Sequence, residues 1–107
     1  MDIWSKATMN AWSIANILHK AYKDKIRYNE TQSKWEYYNQ NEWIDDKNKH
    51  HLKQLFIYDA RINILNFIDT LDDIMDINRL SNVSKYLSTH FNLIVKEAKE
   101  IFIEQDP

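Results

Sequence analysis

The 107-residue chain has no cysteine, no glycine, and a single proline at position 107. Without cysteine there is no disulfide, no thiolate nucleophile and no cysteine-ligated zinc. A reducing, cytoplasmic setting fits that composition. The missing glycine excludes more, since average usage is about 7%. A P-loop and a dinucleotide fingerprint both need glycine where backbone approaches phosphate. By itself the chain is therefore no P-loop ATPase, no kinase and no Rossmann oxidoreductase. No run approaches the ~18 apolar residues of a membrane span. The opening "MDIWSKATMN" lacks the basic-then-apolar order of a signal peptide, so no membrane contact is expected.

What is present describes a folding chain. Hydrophobic residues make up 44% and aromatics 13%, enough to bury a core. The length suits one domain over residues 1–107. Net charge is −2. Residues 1–56 carry nine Lys/Arg against seven Asp/Glu, and residues 57–107 five against nine, so the charge leans basic first and acidic later.

Periodicity divides the chain into four stretches and predicts a mostly helical α+β fold. Residues 2–23 read as a helix capped by Asp2 or Ser5. Its apolar stripe is Trp4, Ala7, Ala11, Ile14, Ala15, Leu18 and Tyr22, widened by Trp12 and Ile17. Residues 26–44 change period. "IRY", "KWEYY" and "EWI" are short, aromatic and β-rich, which predicts a small three-stranded antiparallel meander. "NETQS" and "NQN" separate the strands, and Asn29, Asn39 and Asn41 are the candidates for positive φ in a chain without glycine. Two long C-terminal helices follow, over 46–74 with Asp45 or Asp46 as cap, and over 81–104, with a break near Asp76–Ser81. They are expected to pack antiparallel. Pro107 cannot extend the last helix.

Few residues suggest catalysis. Adjacent His50 and His51 diverge by about 100° on a helix and cannot chelate together. His90 falls inside an apolar stripe, where a core or interface role is expected. No Ser/His/Asp signature is present, and neither a metal, a cofactor nor a small-molecule substrate is expected. "DTLDDIMD" is sharper. On one continuous helix it places Asp69, Asp72, Asp73 and Asp76 on a single face, close to a C-terminus where carboxylates are unfavourable. Such a face can be merely solvated near a helix end, with Asp76 capping the next helix, can meet a basic partner surface, or can hold a divalent ion.

The basic residues gather near the meander. Lys20, Lys23, Lys25, Arg27 and Lys34 surround the helix-to-strand junction, and Lys47, Lys49, His50 and Lys53 open the second helix. Between them stand Tyr28, Trp35, Tyr37, Tyr38 and Trp43. Cations interleaved with flat rings suit single-stranded nucleic acid, which offers phosphates and stacking bases. The competing reading is a sheet core. Alternation puts Trp35 and Tyr37 on one face and Glu36 and Tyr38 on the other, so at most half of these rings are free to stack. The expected phosphate contacts are Lys25, Arg27, Lys34, Lys47 and Lys53, with Tyr38 as the stacking ring and Trp35 and Trp43 mainly as core.

Residues 11–46 carry a resemblance. Ala15, Ile17 and Leu18 lead into Ile26-Arg27-Tyr28, then Trp35 and Tyr38, then Trp43-Ile44-Asp45. In order and spacing this resembles the helical segment that precedes the superfamily 3 helicase module of poxvirus, phage and plasmid primase-helicases. That family usually has glycine in the turn before the second tryptophan, where this chain has Asn39-Gln40-Asn41. The family also continues into a Walker A motor, absent here. The resemblance implies a noncatalytic replication accessory of a phage or other mobile element. It would join a primase-polymerase or helicase and help it engage single-stranded DNA. The alternative is a protein-interaction module, an adaptor or inhibitor of a host factor. Its contact surface would lie on the last two helices with Asp69, Asp72, Asp73 and Asp76, and an off-core Ile57, Leu93 or Val95 would support it.

Overall fold

The computed structural model of the chain describes residues 3–103. Helix α1 spans Ala11–Tyr22, strands β1, β2 and β3 span Ile26–Asn29, Lys34–Asn39 and Glu42–Asp45, and four further α segments follow. These are α2 (His50–Lys53), α3 (Ala60–Ile68), α4 (Ile74–Thr89) and α5 (Phe91–Ile101). The fold is the mostly helical α+β arrangement expected, with the antiparallel meander in the order β1-β2-β3.

Helix α1 starts later than its stripe suggests. Asn10 is extended (φ −142°, ψ 154°), and its side-chain oxygen accepts the Ser13 N–H at 2.8 Å. That is an N-cap, so residues 3–10 form turns instead of helix. Ser5 lies in those turns, and Asp2 lies outside the described residues. Trp4 and Ala7 are nevertheless buried, and Arg79 Nε donates to the Ala7 carbonyl at 2.6 Å, pinning the segment to α4. The buried side of α1 is Ala11, Ile14, Ala15, Leu18 and Tyr22. Trp12, one residue further round, is exposed rather than core.

The second helical stretch is not continuous either. After β3, Asp46 receives two backbone donors: His51 N–H at 2.8 Å on Oδ1 and Leu52 N–H at 2.9 Å on Oδ2. Those are orphan donors of a helix start. A 3₁₀ turn at Lys47–Lys49 leads in, a π turn at Gln54–Asp59 joins α2 to α3, and Leu52, Phe56, Ala60 and Ile64 face the core. The break comes at residues 69–73, earlier than the expected Asp76–Ser81. Thr70 Oγ donates to the Phe67 carbonyl at 2.8 Å there, and the Asp73 carboxylate caps α4 by accepting Met75 N–H at 2.9 Å. The last stretch divides again at His90 (φ −115°, ψ 31°). The stripe steps across that kink from Leu87 to Phe91, four residues on, so periodicity does not register it. His90 is exposed, its ring 4.2 Å from that of Tyr86, so of the core or interface role expected the core half does not hold.

Helix α1 packs on α5, and α3 packs on α4. The inner sheet face closes the core. Ile26 and Trp35 are buried, and the Trp35 ring meets Tyr28, Phe56 and Phe102 with centroids 5.3, 6.4 and 5.7 Å apart. Beyond α5, Phe102 and Ile103 lie along β1. The Phe102 carbonyl accepts Tyr28 N–H at 2.8 Å, and Ile103 bridges Tyr28 in parallel. This covers the free edge of β1, which would otherwise offer unpaired backbone groups. No helix is long and apolar enough to cross a membrane among the described residues.

Because Asp46 is buried and serves two orphan N–H groups, its removal should be felt globally. Asp46→Ala is expected to lower unfolding free energy by about 2 kcal/mol, the upper range for a lost cap. Urea denaturation followed by circular dichroism measures it.

Candidate nucleic-acid interface

The outer face of the sheet is set by register. Arg27 lies opposite Glu36, which lies opposite Asp45, and Tyr38 lies opposite Trp43. Tyr38 N–H also donates to the Lys25 carbonyl at 2.8 Å, extending the ladder so that Lys25 shares the face with Arg27. Lys25, Arg27, Lys34 and Tyr38 therefore occupy one surface. Trp43 joins them and is not core. It is half-buried, with the Arg27 guanidinium 4.4 Å from its ring centroid and the Tyr38 ring 5.1 Å away. The sequence contained a signal for this. Gln40 (φ 49°) and Asn41 (φ 70°) make a two-residue hairpin turn, which pairs Tyr38 directly with Trp43. Reading "NQN" as a three-residue break leaves that register open. Asn39 and Asn29 are paired strand residues, not left-handed turn residues. In the first hairpin Ser33 takes the positive φ of 53°, while Asn29 Oδ1 accepts Gln32 N–H at 3.1 Å.

Glu36 sits at the centre of this face and is only 6% exposed. Arg27 Nε donates to its Oε1 at 2.8 Å, and Lys34 Nζ lies 3.8 Å from Oε2. A buried carboxylate requires such partners. Arg27 is thus held from two sides, by Glu36 and by the Trp43 ring. Tyr38 is free of the core. It is 45% exposed, and its hydroxyl makes one long bond, 3.3 Å, to Asn41 Oδ1. On the inner face, Tyr37 stacks on His51 at 3.6 Å.

The remaining candidates divide. Lys47 neighbours Lys34 across a hollow that Lys49 and Lys99 also line. Lys99 belongs to no basic cluster in the sequence. It arrives only because Phe102 and Ile103 lie along β1. Lys53 is elsewhere, its Nζ 6.0 Å from the Phe91 ring at the start of α5, and does not extend the sheet surface. The four aspartates do not form one helix face. Asp69 ends α3, Asp72 is in the connecting loop, Asp73 caps α4 and Asp76 lies in its first turn. At a helix N-terminus Asp73 and Asp76 are favoured by the macrodipole, the reverse of the cost expected on one continuous helix, and the cap expected at Asp76 falls at Asp73. Among the described residues no three His, Asp or Glu side chains are placed to hold a metal ion. Of the apolar candidates, Leu93 is exposed, Ile57 packs partly against the core, and Val95 is buried.

His19 and Lys23 line another hollow, of about 410 Å³, with Arg27 and Trp43. Burial, and then the Lys23 charge, hold the His19 pKa below its usual 6.5. Comparison with known protein families, with curated proteins and with solved structures gives no match to this chain.

Two predictions follow from this geometry. Arg27→Ala should cost about 2–3 kcal/mol, because it uncovers a buried carboxylate and leaves Lys34 as a loose partner. Adding Glu36→Gln should recover part of that loss, which a double-mutant cycle in urea measures. His19 has a depressed folded pKa, so its contribution to stability is present above about pH 6.5 and is lost as pH falls through the lowered folded value. Between about pH 7.5 and pH 5.5 the urea midpoint should therefore fall less for His19→Asn than for the natural chain.

Proposed function

We propose that this chain is a noncatalytic DNA-replication accessory of a phage or other mobile element. It lays single-stranded DNA across the outer sheet face while joined to a primase-polymerase or helicase in the cytoplasm. The observation that carries this reading is the exposed Tyr38 ring beside Trp43, with Lys25, Arg27 and Lys34 on the same face. Flat rings take bases and cations take phosphates, the combination that sequence-tolerant single-strand binding uses. The resemblance of residues 11–46 to the segment before superfamily 3 helicases supports the replication setting. At net charge −2 the free chain repels DNA at long range, so the larger partner is expected to raise the affinity.

A second reading has its own observation. Tyr58, Ile62 and Leu65 are exposed at four- and three-residue spacing, and Ile74 and Met75 at the start of α4 are more exposed still, at 72% and 78%. Such an apolar surface suits a protein partner. Under the accessory reading it is where the enzyme docks; under the alternative of an adaptor or inhibitor it is the whole function.

Tyr38→Ala separates the two. Fluorescence anisotropy with labelled oligothymidylate should show roughly 5- to 100-fold weaker binding, the range for one lost stacking ring. With about three phosphates contacted, log affinity should fall against log salt with a slope near −2. Unchanged affinity in Tyr38→Ala, with Ile62→Glu alone abolishing recovery of a replication enzyme, would favour the pure interaction module.

A further inference from the structure

The hollow beside the end of the sheet has a volume of about 490 Å³. That lies within the roughly 300–1,000 Å³ of small-ligand pockets. Lys34, Lys47, Lys49 and Lys99 line it, from β2, the turn after β3, and α5. Asp45 and Asp46 share the wall, but both Asp46 oxygens are occupied by the His51 and Leu52 backbone N–H groups. Lys34 is only loosely held by Glu36, at 3.8 Å. Four ammonium groups against two carboxylates make the wall positive in a protein whose net charge is −2. That excess of positive charge favours an anion in this hollow.

A second observation is independent of the lysines. Trp35 also lines the pocket, is 96% buried by its 4% exposure, and its indole Nε1–H has no acceptor among the described residues. Buried side-chain donors are nearly always paired. Every other feature of Trp35 is that of a well-packed core residue, with three aromatic neighbours. The residue that closes the inner end of the lysine-lined pocket thus carries a buried donor without an acceptor among the described residues, which leaves it sensitive to an anion bound beside it.

We propose that this pocket binds a phosphate monoester. The monoester carries about −1.5 to −2 charge at pH 7 and three acceptor oxygens, which matches several ammonium groups better than a singly charged carboxylate does. Lys34, Lys47, Lys49 and Lys99 neutralise it, and the Trp35 indole, in the same wall, reports its arrival. The choice of a nucleotide as the bearer rests on the nucleic-acid reading above. The group is then either the terminal phosphate of a strand on the sheet or that of a free nucleotide.

The test follows the Trp35 indole resonance in ¹⁵N–¹H spectra of the full chain, assigned by its loss in Trp35→Phe. The titrants are thymidine monophosphate, thymidine, and short oligothymidylates with a 5′-phosphate, a 3′-phosphate or neither. The expected result is a shift of that resonance with a phosphate-bearing titrant and none with thymidine. Lys47→Gln combined with Lys99→Gln should weaken the phosphate-dependent binding about tenfold or more. A response to the mononucleotide marks the free nucleotide as a ligand; a response only to a phosphorylated strand marks the strand end. No shift with any phosphate-bearing titrant, or unchanged affinity in the double lysine variant, overturns the site. Tyr38→Ala keeps the two readings apart. If it leaves oligonucleotide affinity intact while the mononucleotide still shifts Trp35, the pocket stands and the sheet reading falls. If it weakens strand binding and terminal phosphate has no effect, the sheet stands and the pocket falls.

Discussion

The sheet exists because of what Trp35 touches. Three strands of four to six residues are stable in water only with a hydrophobic face or a helix packed against them. Trp35 supplies the missing support from the central strand. Its ring meets Tyr28 on β1, Phe56 in the π turn before α3, and Phe102 beyond α5. Its carbonyl accepts the Asp46 N–H at 2.8 Å, so the residue that caps the next helix is tied to the same point. One residue therefore joins the meander, the second helical stretch and the chain's last described segment. By alternation it also decides which face is left over: with Trp35 inward, Arg27, Glu36, Tyr38 and Trp43 must lie outward.

The absence of glycine shapes how the surface is reached. Among the described residues five take positive φ: Ser33, Gln40, Asn41, Asn48 and Lys49. Each carries a Cβ penalty that glycine would not. Gln40 and Asn41 use that conformation to close a tight hairpin, which sets Tyr38 against Trp43. Asn48 and Lys49 use it to turn the chain from β3 into α2, in a segment that contributes Lys47 and Lys49 to one hollow. The strained positions flank the two features proposed above to bind a ligand, the ring pair and the lysine wall. Strain of this kind persists only where surrounding contacts over-determine it, and the Asp46 bonds to His51 and Leu52 do so for the second turn.

The strands were legible to within a residue because alternation, aromatic content and polar breaks coincide over residues 26–45. The helix ends were not, and the reason is specific. A stripe reports which side of a helix is buried, and it runs on through a break whenever the residues beyond keep three- or four-residue spacing. Leu87 to Phe91 does so across His90, and Trp4 and Ala7 do so ahead of Asn10. What sets the start of α1 and of α4 is a single polar side chain bonding to backbone, Asn10 in one and Asp73 in the other. "DTLDD" thus reads as a helix face and is a helix boundary. Of the six residues expected to meet DNA, four share the sheet face because short-range register puts them there. Lys47 lies beside the end of that face and Lys53 apart from it. Lys99 could not be read at all, since its place depends on a contact between residues more than seventy positions apart in sequence.

Arg27 shows why position on that face does not by itself define function. Its guanidinium neutralises a buried carboxylate and covers a tryptophan ring, and both duties are met within the folded chain. Any phosphate it contacts must share it with Glu36. A substitution there that abolished DNA binding would leave the loss of a surface and the loss of a contact indistinguishable. Tyr38 has no such double duty: it is exposed, touches Trp43 from one side, and holds one long hydrogen bond. Where one face must both complete a small sheet and bind a ligand, the groups nearest its centre are bound to structure. On the reading proposed above, the ligand is then met by the rings and cations at its margins.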